Sequence, residues 1–364
     1  MRRRLAILLS AIALVATACT LGSSATPTPV PPTATPEPTA TATPTPSPTP
    51  SPTPTPTPQP TPTPVAFRSP LTGEPMEAEP PRPIAVQIDN APPARPHTGL
   101  TQADVVYETP TEAQLTRFTA FYQTKAPDVV GPVRSARLVD LEVVPAHDGM
   151  LAYSGASIGV QNLLWQSGID LLVVEGNAAE AGWRDWSRFA PHNLYTSIPA
   201  LRAVADRLGW SRPTTGQSFT FGPPPPGGLP SSGVDIPYSA GPVSFKYDPG
   251  TNRYLRFMDG VPHSDAQTGE QIAPRNVIVI FTTFTTTDIM EDVLGAYSLD
   301  VDLHSGGDAW IFRDGQRYGA HWERTGPDGT FRFIDPATQQ EVPLGEGQTW
   351  IALVPQWLSA TPNP

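Results

Sequence analysis

The sequence predicts an α+β fold, with helices and strands mixed in its first half and mainly antiparallel β structure in its second. Two observations carry this. Between residues 83 and 210, short apolar or alternating runs are interleaved with segments of helical period. Beyond the Pro/Gly-rich break at 223–228 the pattern is almost wholly of strand type, punctuated by Asp-Gly dipeptides.

The chain ahead of that domain is of a different kind. Arg2, Arg3 and Arg4 form a positive start, and Leu5 to Ala18 is an uncharged, mostly apolar run of 14 residues. A spanning helix needs about 20 such residues, so residues 1–18 read as a signal peptide. Ala16-Thr17-Ala18 then lead to Cys19, the only cysteine in 364 residues. Small side chains before a cysteine are what a lipoprotein signal peptidase needs, and the thiol is the atom that takes the lipid. Leu is commoner three places before that cysteine, where this chain has Ala16. A plain signal peptide cleaved after Ala18 is the alternative reading. With its one cysteine in this position, the folded part has no internal disulfide and no thiolate chemistry.

Residues 19–65 read as a lipidated cysteine followed by a disordered stalk. Of the 48 prolines, 17 fall within 26–64, alternating mainly with Thr and Ser, and Glu37 is the single charge between 20 and 64. Such a segment cannot bury enough surface to offset chain entropy, and the prolines drive it toward polyproline II. At ~3.1 Å per residue, 45 residues reach roughly 140 Å. The roughly 300 residues that follow suffice for one large core or two modest ones.

Net charge is −11, and removal of the three leader arginines makes it −14. A surface of that sign repels polyanions, so nucleic acid is not an expected partner.

Within the domain, Ile84–Ile88 reads as a strand running into the turn-like Asp89-Asn90-Ala-Pro-Pro. Asp104–Glu108 and Leu115–Gln123 read as two more. Arg137–Val144 reads as a helix, Met150–Tyr153 as a strand, Ile158–Gln166 as a helix and Leu171–Glu175 as a strand. Ser197 is the N-cap of a helix reaching Leu208, with Pro199 in its first turn and Gly209 at its end.

Three motifs in this half carry a family resemblance: Ala94-Arg-Pro-His-Thr-Gly-Leu-Thr-Gln-Ala-Asp-Val-Val-Tyr-Glu108, Gly131-Pro-Val-Arg-Ser-Ala-Arg137 and Arg188-Phe-Ala-Pro-His-Asn-Leu-Tyr195. In this order they resemble the YerB-like bacterial lipoproteins, a family without an assigned biochemical function. The resemblance runs from Ser69 to about Pro355. It divides the domain into an N-terminal part, 66–222, and a C-terminal part, 235–358. It implies a layered sandwich of two sheets with a helical layer, an envelope location and no particular activity. His97 departs from the pattern, which has Gln there.

In the second half, Asp259-Gly260, Asp314-Gly315 and Asp328-Gly329 are turn dipeptides. A two-residue loop at Asp314-Gly315 would pair Phe312 with Arg317 and Ile311 with Tyr318. Asn276–Phe281 is a continuous apolar strand of the kind buried on both faces, and Gln348–Pro355 reads as a closing strand.

Several constellations carry candidate chemistry. Gly155-Ala-Ser157-Ile-Gly159 lies between a strand and a helix, the setting of a nucleophile elbow. Ser157 would need His192 as base, with Asp170 or Asp185 orienting it. His192 stands only 35 residues downstream, and Ser157 is equally an ordinary N-cap. Arg134, Arg137, Arg188 and Asn193, with Asp104 from the first motif, form a candidate ligand-binding set for a carboxylate or phosphate. Ion pairs of the arginines with Glu108 or Asp140 are the structural alternative. His192, in a polar loop, is the best placed proton carrier, and Glu108 is a second.

Glu108 with Glu112 could be the paired carboxylates of a glycosidase, though sequence spacing cannot supply the separation that chemistry needs. Asp300, Asp302 and His304 alternate along a strand, and a solvated face explains them as well as a metal does. No HExxH, P-loop or GxGxxG is present, so no metal or cofactor is expected.

Two functions remain. One is a lipid-anchored envelope module that binds an anionic ligand or a wall-associated partner. The other is an envelope hydrolase using His192 with Glu108 or Ser157. They part on geometry, namely whether Glu108, Arg134, Arg137, His192 and Asn193 share one open cleft.

Overall fold

Continuous apolar runs dictate the centre of the molecule. Ile84–Asp89, Thr116–Tyr122, Asn276–Thr282 and Thr349–Pro355 are buried along all or nearly all of their lengths, as strands covered on both faces must be. A computed structural model describes residues 67–364, apart from Val293 and Pro327; the leader, Cys19 and the stalk lie outside the described residues. Among the described residues no helix is long and apolar enough to cross a membrane.

The main sheet has eleven strands. From one edge its order is Leu229–Pro230, Gln316–Arg324, Gly307–Arg313, Asn276–Thr282, Thr349–Pro355, Val105–Pro110, Thr116–Tyr122, Ile84–Asp89, Met150–Tyr153 and Leu171–Val173. Phe331–Ile334 also pairs with Gln316–Arg324. The strand expected to close the domain lies in its middle. Thr349–Pro355 runs parallel to Asn276–Thr282 on one side and to Val105–Pro110 on the other, so both parts of the chain share one sheet.

A second, five-stranded antiparallel sheet is built from Val261–Pro262, Arg253–Met258, Val243–Asp248, Gly233–Ile236 and Thr361–Asn363. Together with the helix Ile198–Arg207 it covers one face of the main sheet, where Phe245, Tyr254, Leu201 and Val204 meet Phe118, Val279 and Trp350. On the opposite face Val143, Val160 and Leu164 pack with Tyr107, Phe121, Leu151 and Ile351. The fold is therefore α+β, in layers of two sheets and helices.

Local expectations hold where backbone chemistry decides. Asp314 and Gly315 have φ of 54° and 68°, and the hairpin registers Phe312 with Arg317 and Ile311 with Tyr318. Ser197 accepts from the Ala200 amide at 3.4 Å, and Gly209 stops that helix at φ 74°. Two expectations are corrected. The helix at 137–144 is only Asp140–Val143, because Pro145 has no N–H to continue the ladder and a 3-10 turn follows. Asp328-Gly329 does not make a two-residue turn. Strands Gln316–Arg324 and Phe331–Ile334 are joined across residues 325–330, where positive φ falls to Gly326.

Candidate functional site

Strand Ile84–Asp89 ends at Asp89, and its carboxylate organises the surroundings. Oδ1 accepts from the Ala91 amide at 3.1 Å. Oδ2 accepts from His192 Nδ1 at 2.6 Å and lies 3.4 Å from Arg134 Nε. A carboxylate only accepts, so the His192 proton sits on Nδ1 and Nε2 is left as an acceptor. Nε2 has no partner among the described residues, and the side chain is 19% exposed.

Arg134 is held by its backbone, whose N–H donates to Gln87 O and whose carbonyl accepts from Ser154 N. Its guanidinium makes no hydrogen bond among the described residues, and Nε is buried without one. At 28% exposure it is the open cation of the site. The loop bearing His192 is clamped by Arg188, which donates to Ala94 O at 2.8 Å and Pro96 O at 2.9 Å. Asn193 is buried and pins the same loop, accepting from Arg184 at 2.7 Å and donating to Arg188 O.

Behind Asp89 runs a buried polar chain whose proton positions follow from its ends. Arg256 is fully buried and donates to both Glu108 oxygens, at 2.9 and 3.0 Å. It also donates to His263 Nδ1. An arginine only donates, so His263 carries its proton on Nε2 and gives it to His97 Nδ1 at 2.8 Å. His97 in turn donates from Nε2 to the Asp89 carbonyl at 2.8 Å. The acceptor-only carbonyl at one end and the donor-only guanidinium at the other demand the same tautomers. Burial, followed by the Arg256 charge, holds His263 well below the usual imidazole range. Burial likewise pushes His97 down to about 3.

The sequence-derived candidates divide accordingly. Arg134, Arg188, His192 and Asn193 come together around Asp89 and the 89–98 segment. Glu108 does not face solvent: its oxygens also accept from Trp350 Nε1 at 3.0 Å and Thr116 Oγ1 at 3.1 Å, and it serves the buried chain. Arg137 is committed to Glu112 and to Glu291 Oε2 at 3.3 Å, not to Glu108, and its side chain is 9% exposed. Burial works against the Glu112 charge, but the hydrogen bond and charge of Arg137 outweigh it and hold the carboxyl low. Asp104 accepts from Gln123 N, Thr124 N and Thr124 Oγ1 and closes the turn after strand Thr116–Tyr122. Burial pushes it up to about 6.

The Ser157 triad does not assemble. His192 bonds to none of Ser157, Asp170 and Asp185. Asp170 pairs with Arg82 at 2.5 Å, and Asp185 accepts from the Ser187 amide. Ser157 holds the N-cap position of helix Ile158–Gln166, but its Oγ is buried with no hydrogen bond and makes no cap. Glu108 and Glu112 each serve a different arginine. Asp302 accepts from the His304 and Ser305 amides, and His304 Nε2 lies 3.0 Å from Glu142. No cluster of three metal-ligating side chains occurs among the described residues.

Arg256 and His263 escaped the sequence reading, which took Asp89 only as part of a turn and His97 only as a departure from the family pattern. The available signal was the strand-ending Asp89 before a Pro-Pro turn, together with the scarcity of histidine, six in the chain.

Two family models match. The one described as "Protein of unknown function (DUF3048) N-terminal domain" covers residues 71–211, and that for the C-terminal domain covers 234–351. The chain is 31% identical over 297 residues to the Bacillus subtilis (strain 168) protein named "Putative lipoprotein YerB", a span of 79% of this chain and 86% of that protein. The crystal structure of the YerB protein from Bacillus subtilis matches with a TM-score of 0.72 at 29% identity, over 81% of this chain and 99% of the other.

Proposed function

This chain belongs to the YerB-like DUF3048 family, and from that premise we propose an extracytoplasmic, lipid-anchored binding module that takes an anionic group at Arg134, beside His192. One observation carries the binding reading. The Arg134 guanidinium makes no hydrogen bond among the described residues and stands beside the His192 ring, both set by the buried carboxylate of Asp89. Guanidinium forks match carboxylate and phosphate oxygens, and an arginine whose N–H groups the fold leaves unsatisfied has donors to spare. Arg188 supports the site indirectly, by fixing the His192 loop through two carbonyls.

The anchor reading rests on Cys19 behind its leader and on the lipoprotein name of the Bacillus relative. Metabolic labelling with a fatty acid tests it: Cys19→Ser should lose the label, and retained label places the anchor elsewhere. For the binding reading, titration of the protein with inorganic phosphate and with acetate, followed by the His192 imidazole NMR signals, should give saturable shifts. Arg134→Ala should abolish them while Arg137→Ala leaves them in place. Equal shifts in parent and Arg134→Ala protein defeat the assignment.

The 2.6 Å Asp89–His192 bond favours a second reading, since an aspartate that orients an imidazole makes Nε2 a competent general base for water. In that case His192→Asn removes turnover of an envelope ester or amide without removing its binding.

A further inference from the structure

The hairpin Gly182–Arg184 / Leu194–Thr196 and the loop between its strands carry an unusual load of exposed rings. Trp183, Trp186 and Phe189 are 41%, 78% and 88% exposed. Isolated apolar side chains on a surface need no explanation, but three large rings within seven residues form a patch of the kind that marks an interaction site. Two of them line an open cleft of about 540 Å³, within the range of ligand sites. Trp183 is the cross-strand neighbour of Tyr195 and lies against it nearly parallel, with centroids 6.4 Å apart and planes at 24°. Thr98 and Gln267 stand among the other lining residues, Gln267 supplied by the C-terminal half.

The polar groups of the cleft say what would fit. Its arginines are occupied: Arg184 serves Glu175 and Asn193, and Arg188 serves Ala94 O and Pro96 O. The groups without hydrogen bonds among the described residues are neutral, namely the Tyr195 hydroxyl, the Gln267 amide and the indole N–H of Trp183 and Trp186. Flat apolar faces ringed by neutral donors and acceptors complement a pyranose, which presents a C–H face to a ring and hydroxyls or an acetamido group at its edge. Asp185, on the same lining, accepts from the Ser187 amide at 2.9 Å and has no salt bridge among the described residues. The rim therefore also carries one carboxylate, an acceptor for sugar hydroxyls that repels an anionic ligand, and a purely apolar ligand would strand the polar rim.

We infer that the Trp183–Trp186–Tyr195 cleft is a binding site for an oligosaccharide of pyranose units. The inference rests on the reading of the domain as an envelope-binding module and extends it, from an anionic group at Arg134 to a glycan at a separate cleft.

The test uses the full lipidated chain, held in a detergent without a sugar headgroup. Chitotetraose and cellotetraose are titrated by calorimetry and by tryptophan emission. Saturable binding of one or both is expected. Trp183→Ala and Trp186→Ala should each weaken it about ten-fold or more, as aromatic hot spots do. Trp186→Phe should restore much of the loss, and Trp165→Ala, a 69% exposed ring elsewhere, should change nothing. Substitution at so exposed a position as Trp186 leaves the core intact, so a loss there reads as lost contact. The inference is overturned if neither sugar binds, if binding survives both alanine variants, or if a tetrapeptide displaces the sugar. Arg134→Ala separates the two sites: it should abolish phosphate shifts and leave sugar binding unchanged. Sugar binding that fails while phosphate binding persists defeats this inference alone.

Discussion

His97→Gln puts the buried polar chain to a quantitative test. His97 accepts at Nδ1 from His263 and donates from Nε2 to Asp89 O. A glutamine amide offers the same pair, an oxygen to accept and an N–H to donate, so near neutral pH the variant should stay within about 1 kcal/mol of the parent. The difference emerges in acid. Burial lowers the folded-state His97 from 6.5 to about 3, so below pH 6.5 the unfolded chain binds a proton that the folded chain refuses until about pH 3. Its contribution is therefore whole above pH 6.5 and is lost as pH falls from 6.5 toward 3.

At about pH 5 the loss is on the order of 2 kcal/mol for this one residue, from 1.36 kcal/mol per unit over the 1.5 units below the unfolded value. Other buried groups shift with pH as well. Burial holds His147 at about 3, which acts in the same direction. Asp104 and Asp140, raised by burial to about 6, act in the opposite one. These three, and His263, which burial and the Arg256 charge hold low, are present in parent and variant alike, so the difference between the two pH dependences reports chiefly on residue 97. Urea unfolding followed by tryptophan fluorescence at about pH 7.5 and about pH 5 should show the parent losing ~2 kcal/mol more than His97→Gln, at unchanged m. An equal loss in both proteins would falsify the neutral, donor-to-acceptor chain from Arg256 to Asp89.

The same chain predicts that Glu108→Gln alone is more damaging than removal of its whole pair. Stranding the buried Arg256 charge should cost about 3–5 kcal/mol, whereas Glu108→Gln with Arg256→Met should recover part of it, read by denaturant midpoint at constant m. A midpoint for the double variant below that of the single one refutes the account. At Gly315, φ is 68° and an added Cβ would come within 2.6 Å of the Tyr247 ring. Gly315→Ala should therefore lose at least about 1 kcal/mol of thermal stability, while Gly319→Ala, where nothing lies within 4 Å, should lose less. Equal melting temperatures for the two variants count against it.

Much of the fold was legible because it depends on local rules. Asp-Gly at 314–315 needs positive φ at both positions, and that alone fixes which residue faces which across the hairpin. The unbroken apolar run at 276–281 can only be a strand covered on both sides. Met150–Tyr153 and Ile158–Gln166 likewise stand where alternation and helical period place them. Sheet order was not legible, because no local signal says that Thr349–Pro355 inserts between strands more than 60 residues away in sequence.

The site was half legible for the same reason. His192, Arg134 and Arg188 announce themselves as polar residues in loops. Their organiser, Asp89, is 103 residues from His192, and the nearer acids at 170 and 185 were the ones that sequence offered. Glu108 looked functional because it is polar, yet it lies in the interior, where only a partner from the C-terminal half makes its charge tolerable.

That partner reveals how the two family halves depend on each other. Asp89, His97 and Glu108 come from the first; Arg256 and His263 come from the second and approach from the smaller sheet. The Arg256 guanidinium also lies 4.5 Å from the Trp350 ring centroid, stacking the chain onto the central strand that joins the halves. A fully buried pair of this kind is weak as a source of stability and strong as a constraint on register, since any slip leaves charges unpaired. The hydrogen bond from His97 to the Asp89 carbonyl carries that constraint to the residue that orients His192. The half without the exposed site residues therefore sets their geometry, and the N-terminal half expressed alone would lack the chain that holds Asp89 in place.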